Sequence, residues 1–181
     1  EKELKIHMDG ARIFNASVAL EVPVSDYAKW VDSLSFCLSK GLSAPVGSII
    51  VGDREFIDQA RKKRKILGGG MRQAGIIAAP GIVALTKMVG RLREDHANAK
   101  KLARELSGSG RFKIDMKTVQ TNIVVADVSP LRGSSKDIQQ KLRKRGILVS
   151  SFGPSTIRLV THYGITEEDI DEVVRRLEKV R

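Results

Sequence analysis

The sequence predicts an α/β chain in two parts: an α/β layer, then a long connecting helix leading into a small α+β domain. Three observations predict this. From Leu4 to Val51, short apolar segments end in Gly-containing turns, as buried strands do. A helical stretch then runs from Gln73 to Leu106. It stops at Ser107-Gly108-Ser109-Gly110, the clearest composition shift in the chain. Beyond that linker the pattern reads strand, strand, helix, strand, strand, helix, the order of an α+β unit. The division is expected at residues 1–88 and 89–181.

Taken in order, Leu4-Lys5-Ile6-His7-Met8 alternates and runs into Asp9-Gly10, a strand followed by a turn. Residues 14–31 surround Pro23, which predicts short helices broken by a loop. Ser33–Leu38 reads as a buried strand ending at Ser39-Lys40-Gly41. Val46–Val51 reads as another, bounded by Pro45 and Gly52-Asp53. A helix is expected from about Asp53 to Lys65, ended by Gly68-Gly69-Gly70. The long helical stretch is expected to break near Pro80-Gly81. After the linker, Arg111–Ile114, Asn122–Val128, Ile147–Ser150 and Thr156–Val160 are the expected strands, with Ser135 capping a helix that ends at Gly146. Thr166-Glu167-Glu168-Asp169 resembles a capping box with Asp in the last place. It opens a helix whose Ile170, Val173, Val174, Leu177 and Val180 form one apolar face.

Composition narrows the class. The chain has 181 residues, 41% hydrophobic and 29% charged, which suits a globular protein. No apolar run reaches the roughly 20 residues of a membrane span, and no secretory signal is visible. A single cysteine, Cys37, excludes an internal disulfide framework and fits a reducing, cytoplasmic compartment. The chain opens on Glu1-Lys2-Glu3 without an initiator Met and enters a strand at once, so a piece of a longer protein is expected. The net charge of +11 raises nucleic acid as a partner, with Arg61-Lys62-Lys63-Arg64-Lys65 as its densest cluster. Aromatics make up only 4%, none interleaves with that cluster, and no DNA-binding motif accompanies it, so a solvated helix face or a small-phosphate site fits better. His7, His96 and His162 lie far apart without carboxylate or thiol at ligand spacing, so no metal site is expected.

Two residues stand where α/β proteins place ligands, at the carboxyl ends of strands. Asp9 follows the first strand, with Arg12 three residues on. Lys40 closes the second, beside the Ser39 hydroxyl, which suits a phosphate oxygen. In isolation each has a plain structural reading, Asp9 as a turn residue and Lys40 as an exposed strand end. A buried strand would instead carry the Lys40 amine into a desolvated site.

The motifs around them are more specific. His7-Met8-Asp9-Gly10-Ala11-Arg12 and Cys37-Leu38-Ser39-Lys40-Gly41-Leu42 are followed by Ala44-Pro45-Val46-Gly47-Ser48 and Arg64-Lys65. Leu67-Gly68-Gly69-Gly70-Met71-Arg72-Gln73-Ala74-Gly75, Asp95-His96 and Ile157-Arg158-Leu159-Val160-Thr161-His162 complete the series. In this order they resemble the C-terminal half of the pyridoxal-phosphate-dependent threonine aldolases, which have the aspartate-aminotransferase fold. The resemblance implies part of a large domain with a mostly parallel sheet, plus a small C-terminal α+β domain, and pyridoxal 5'-phosphate as cofactor. It implies that Lys40 condenses with the cofactor aldehyde and that Asp9 pairs with the ring nitrogen. Arg12 and Arg158 would bind the substrate carboxylate or the ring oxygen. Lys65 and Arg72 would lie near the cofactor phosphate, reaching a neighbouring subunit's site, although Lys65 reads equally as part of a solvated basic helix. The implied reaction is retro-aldol cleavage of L-threonine or L-allo-threonine, a β-hydroxy-α-amino acid, to glycine and acetaldehyde, by a dimer of dimers.

The chain departs from that pattern in length. Family members are nearly twice as long, and the N-terminal portion absent here carries their phosphate loop and ring-stacking histidine. The 181 residues alone are therefore expected to bind cofactor poorly and turn over little. The competing readings are another lyase or aminotransferase of the same fold, or a non-catalytic basic fragment that binds phosphate or nucleic acid.

Overall fold

The computed structural model describes residues 4–177, which form two compact units, one up to Arg91 and one from Leu92. The first holds a three-stranded sheet of β1 (His7–Asp9), β2 (Ser33–Cys37) and β3 (Ser48–Gly52), in that spatial order. β1 and β2 are parallel, with Asp9 opposite Ser35. β3 returns antiparallel, with Ile50 opposite Ser35. The parallel pair is joined by two short helices, α1 (Ile13–Leu20) and α2 (Val24–Ala28), with Pro23 at the α2 N-cap as its fixed φ favours.

The period of two sorts the sheet into two faces. Met8, Leu34 and Phe36 point toward α1 and α2. There Ile13 and Leu34 are buried, and Phe14 meets Phe36 edge-to-face at 5.2 Å between ring centroids. His7, Asp9, Ser33, Ser35 and Cys37 share the opposite, polar face, where His7 Nδ1 lies 2.8 Å from Ser33 Oγ and Ser48 Oγ meets Cys37 Sγ at 3.5 Å. α3 (Arg54–Ile66) follows β3, capped by Asp53, whose carboxylate accepts the Phe56 N–H. Lys63, Arg64 and Lys65 fill its last turn, where cations favour the helix dipole.

The long helical stretch does break, but not at Pro80. α4 (Gly75–Val83) runs through that proline and passes into a π-helical turn at Ala84–Met88; α5 (Leu92–Gly108) begins after Gly90. A proline in the second turn of a helix withholds only the bond to the carbonyl four residues back. The π turn and Gly90 lie further on, between Val83 and Leu92. Among the described residues no single helix is long and apolar enough to cross a membrane.

The second unit packs α5, α6 (Ser135–Arg143) and α7 (Glu167–Leu177) with an antiparallel sheet. Its strands run in the order β4 (Ile123–Asp127), β6 (Thr156–Val160), β5 (Ser150–Ser151). Alternate strand residues Val124, Ala126, Ile157 and Leu159 join Leu102 and Leu106 of α5, Ile138 and Leu142 of α6, and Ile170 and Leu177 of α7 in one core. Thr166 and Asp169 exchange hydrogen bonds as the capping-box spacing predicts. Val180 lies outside the described residues.

Three expectations for this unit are corrected. Arg111–Ile114 is not a strand but a single bridge of Lys113 to Asp127, because the chain turns after one pair of hydrogen bonds. Ile147–Ser150 shrinks to the two-residue β5, with Ile147 buried in the core. The cap of α6 is Ser134, not Ser135. Ser134 Oγ accepts the Asp137 N–H while the Asp137 carboxylate accepts the Ser134 N–H. Ser135 is instead buried, and its hydroxyl donates to the Gly153 carbonyl.

Candidate active site

Asp9 ends β1 and Lys40 follows the end of the adjacent parallel strand β2, so both stand at the same end of the sheet. Asp9 is the last residue of β1, and its Oδ1 accepts the Ala11 N–H at 3.1 Å. The turn after it is clamped to β2. Gly10 N–H donates to Ser35 O at 2.8 Å, and Cys37 N–H donates to Ala11 O at 3.4 Å. Gly10 is required by that closeness, since a Cβ there would lie 3.0 Å from Ser35 O and 3.2 Å from Ile13 Cβ. Arg12 occupies the N-cap of α1 directly behind the turn.

Lys40 sits in a tight loop beyond β2. Leu38 N–H donates to Gly47 O, Ala44 N–H to Leu38 O, and Ser43 N–H to Lys40 O. Ser43 takes the left-handed φ of 60° that lets the loop close. Leu38, Leu42 and Ala44 are buried beneath it, and Gly81 of α4 approaches Leu38 so closely that a Cβ would lie 3.0 Å from its Cδ1. The loop is therefore anchored by apolar side chains while Ser39 and Lys40 point outward.

The expectation of a desolvated amine is not met in this chain. Lys40 and Ser39 are exposed, as is Asp9. Among the described residues α1 and α2 pack on the other face, while on the polar face Ile57, Ala60 and Arg64 of α3 line an open groove with Ser35, Ser48 and Ile50 and leave Asp9 and Lys40 exposed. Among the described residues the Lys40 amine has neither hydrogen bond nor ion pair, and the Asp9 carboxylate engages only its own turn. That donor set fits the cofactor implied by the sequence motifs: an uncommitted amine for its aldehyde, and an uncommitted carboxylate for a protonated ring nitrogen.

The remaining predicted residues are distributed. Lys65 is in the last turn of α3, and Arg72 lies in the segment between the glycines and α4, both exposed. Arg158 belongs to the second unit, on β6 between Val125 and Ser150, on the sheet face turned away from the core. Its Nε is buried without a hydrogen-bond partner among the described residues, the state of a donor awaiting an acceptor. The structure brings Asp9, Arg12, Ser39 and Lys40 together in one unit. The sequence reading missed the polar neighbours Ser33 and Ser35. Their alternation with Leu34 and Phe36 is the available signal, obscured when the mostly apolar segment is read as a buried strand.

Residues 1–129 match the family model described as beta-eliminating lyase. The chain is 44% identical over 168 residues to low-specificity L-threonine aldolase 1 of Arabidopsis thaliana, covering 92% of this chain and 47% of that protein. It is 41% identical over 173 residues to the low specificity L-threonine aldolase of Escherichia coli K12, covering 96% and 50%. The chain spans about half the length of the curated relatives it matches. A crystal structure described as a "putative L-allo-threonine aldolase" from Listeria monocytogenes superposes with a TM-score of 0.79 at 18% identity, over 98% of this chain and 52% of that one. At that identity the superposition establishes the mixed α/β fold.

Proposed function

The chain belongs to the beta-eliminating lyase family, and from that premise we propose that it is the lysine-bearing half of a pyridoxal-phosphate-dependent threonine aldolase. The observation that carries this reading is the placement of an uncommitted Asp9 and an uncommitted Lys40 at the carboxyl ends of neighbouring parallel strands. The reaction is cleavage of L-threonine or L-allo-threonine between Cα and Cβ, giving glycine and acetaldehyde in the cytoplasm. Bound pyridoxal phosphate supplies the electron sink for that cleavage. Asp9 holds a proton at the ring nitrogen, which the sink requires. Lys40 would hold the cofactor through its Nζ. Arg12, and in the second unit Arg158, are each assigned to the substrate carboxylate or the ring oxygen. Ser39, Lys65 and Arg72 hold the phosphate, the last two from a neighbouring subunit in a dimer of dimers.

The exposed Lys40 supports a further part of the reading: the chain works only with the portion of the enzyme that lies outside the match. The test is borohydride reduction in the presence of pyridoxal phosphate, followed by peptide mass spectrometry. The chain alone is expected to carry little pyridoxyl label. Mixed with the half of the E. coli relative outside the match, made as a separate polypeptide, it is expected to carry the label on Lys40. Strong labelling of Lys40 in the chain alone would overturn the dependence on a second portion. Label on a different lysine would overturn the site.

A further inference from the structure

β5 is short, yet alternation continues around it from Ile147 to Phe152. Ile147 is buried in the core, Val149 packs against that core, and Ser151 Oγ lies 2.7 Å from Ser135 Oγ of α6. These three residues face inward, so Leu148, Ser150 and Phe152 face the opposite side. Ser150 is the register partner of Arg158, which places the outward strip on the sheet face that carries the guanidinium. Phe152 N–H donates to Thr156 O at 2.8 Å and continues the same register by one more pair.

The strip is firmly held. Gln139 Nε2 donates to Val149 O on one side of it. On the other, Ser135 Oγ donates to Gly153 O, Ser135 N–H to Pro154 O, and Val128 N–H to Ser155 O. Between these bonds Phe152 is 60% exposed and Leu148 81%. Single apolar residues scattered over a surface are ordinary. Here two of the second unit's four exposed large apolar residues, among those described, flank one hydroxyl residue that faces one cation. Arg158 Nε is itself buried, so the inner edge of that cation is already shut off from water.

An arginine–carboxylate pair in open water contributes little, because solvent and salt screen it. The same pair strengthens where neighbouring apolar groups exclude water. Resting on the assignment of Arg158 to the substrate carboxylate, we infer that Phe152, with Leu148 on the other flank, is a positioning residue that keeps water from the Arg158–carboxylate contact. The strip acts through Arg158 and bonds to nothing itself. It favours the carboxylate of an amino acid, whose neighbouring carbon atoms tolerate an apolar surround, over a small inorganic anion that keeps its hydration shell.

The first measurement takes the 181-residue chain alone and follows solvent exchange of the Arg158 Nε–H by nuclear magnetic resonance. Phe152→Ser is expected to speed that exchange by about tenfold, and Phe152→Leu to leave it near wild type. Protection of the Val124 and Leu159 amides, partners in the β4–β6 ladder, reports whether the sheet is intact. If Phe152→Ser disturbs it, Leu148→Ser takes its place, with an expected change of about threefold. The second measurement adds pyridoxal phosphate and the half of the E. coli relative outside the match, made as a separate polypeptide. Phe152→Ser is expected to raise KM for L-threonine about tenfold with kcat unchanged. Its KM should also climb between about 0.05 and 0.5 M sodium chloride, where wild type and Phe152→Leu change little. Equal Nε–H exchange in wild type and the serine variant overturns the inference. So does a loss confined to kcat. Threonine cleavage with the same salt response in every variant sinks the shielding and spares the function. A mixture without cleavage or Lys40 labelling sinks the function and with it the substrate carboxylate, while faster exchange in Phe152→Ser still upholds the shielding of Arg158.

Discussion

The two units of this chain bury their apolar residues to very different degrees. From Ala99 to Leu177 the second unit has one continuous core, and among the described residues its exposed large apolar side chains are Met116, Leu148, Phe152 and Tyr163. In the first unit Ile13, Leu34, Leu38, Leu42, Ala44 and Ala84 are the buried apolar residues among those described. Ile49, Ile50 and Val51 of β3 and Ile76, Ile82 and Val83 of α4 are exposed. α4 is apolar nearly all round, and such a helix belongs inside a protein. Both units have apolar patterning suited to burial, but only the second satisfies it from its own residues. Incomplete burial, together with motifs for a site, marks a half-built domain, and here the exposed apolar surface shares a unit with Asp9 and Lys40.

The comparison breaks most sharply in the core. Ile157→Ala removes a fully buried side chain between β4 and β5 and is expected to cost about 2–5 kcal/mol in chemical denaturation. Ile82→Ala on the exposed α4 is expected to fall within about 0.5 kcal/mol. Equal losses would mean that the first unit is as completely packed as the second. Gly10→Val tests a place where the first unit is tight. Its side chain collides with Ser35 O and Ile13 Cβ, so a cost of about 1–3 kcal/mol is expected, read as faster exchange of the Gly10-to-Ser35 amide bond. Lys40 labelling in the mixture should fall with it, because the turn that carries Asp9 is displaced. Ser134→Ala is smaller, about 1 kcal/mol for a lost cap, and should speed exchange at the start of α6 while leaving the first unit unchanged.

The same contrast explains what could be read from the sequence. β6 falls at the expected Thr156–Val160, and the Thr166 cap of α7 was legible, because both depend on alternation or on side chain–backbone bonds within a few residues. Ser134 and Ser135 are adjacent and chemically alike, and only the packing of Ser135 against Gly153 decides which one caps α6. Pro80 was read as a break, but the helix tolerates it and the disruption appears at Gly90. The position of Asp9 at the end of β1 and of Lys40 just beyond β2 was legible from the strand–turn pattern. The exposure of Lys40 was not, since burial of a strand end depends on what packs over it rather than on the residues of the strand itself.

A change of pH sharpens the comparison from the other side, because its titrating group lies in the complete unit. His96 is buried in the first turns of α5, and burial holds its pKa below the ordinary 6.5; the Asp95 charge acts in the opposite direction, and Lys100 adds to the lowering. The unfolded chain therefore takes up a proton at His96 at a higher pH than the folded chain does. The stabilising contribution is complete above pH 6.5 and is lost as pH falls through the folded value. Asp127 and Asp137, held below the usual carboxylate range by hydrogen bonds from Ser129 and Ser134, lose their contributions only below about pH 4. Acidification from about pH 7 to 5 should accordingly reduce exchange protection in α5, after correction for intrinsic rates, before any carboxylate responds. His96→Gln should remove that dependence. If protection falls as steeply in the glutamine variant, the acid sensitivity of the second unit arises elsewhere and burial of this imidazole is not its cause.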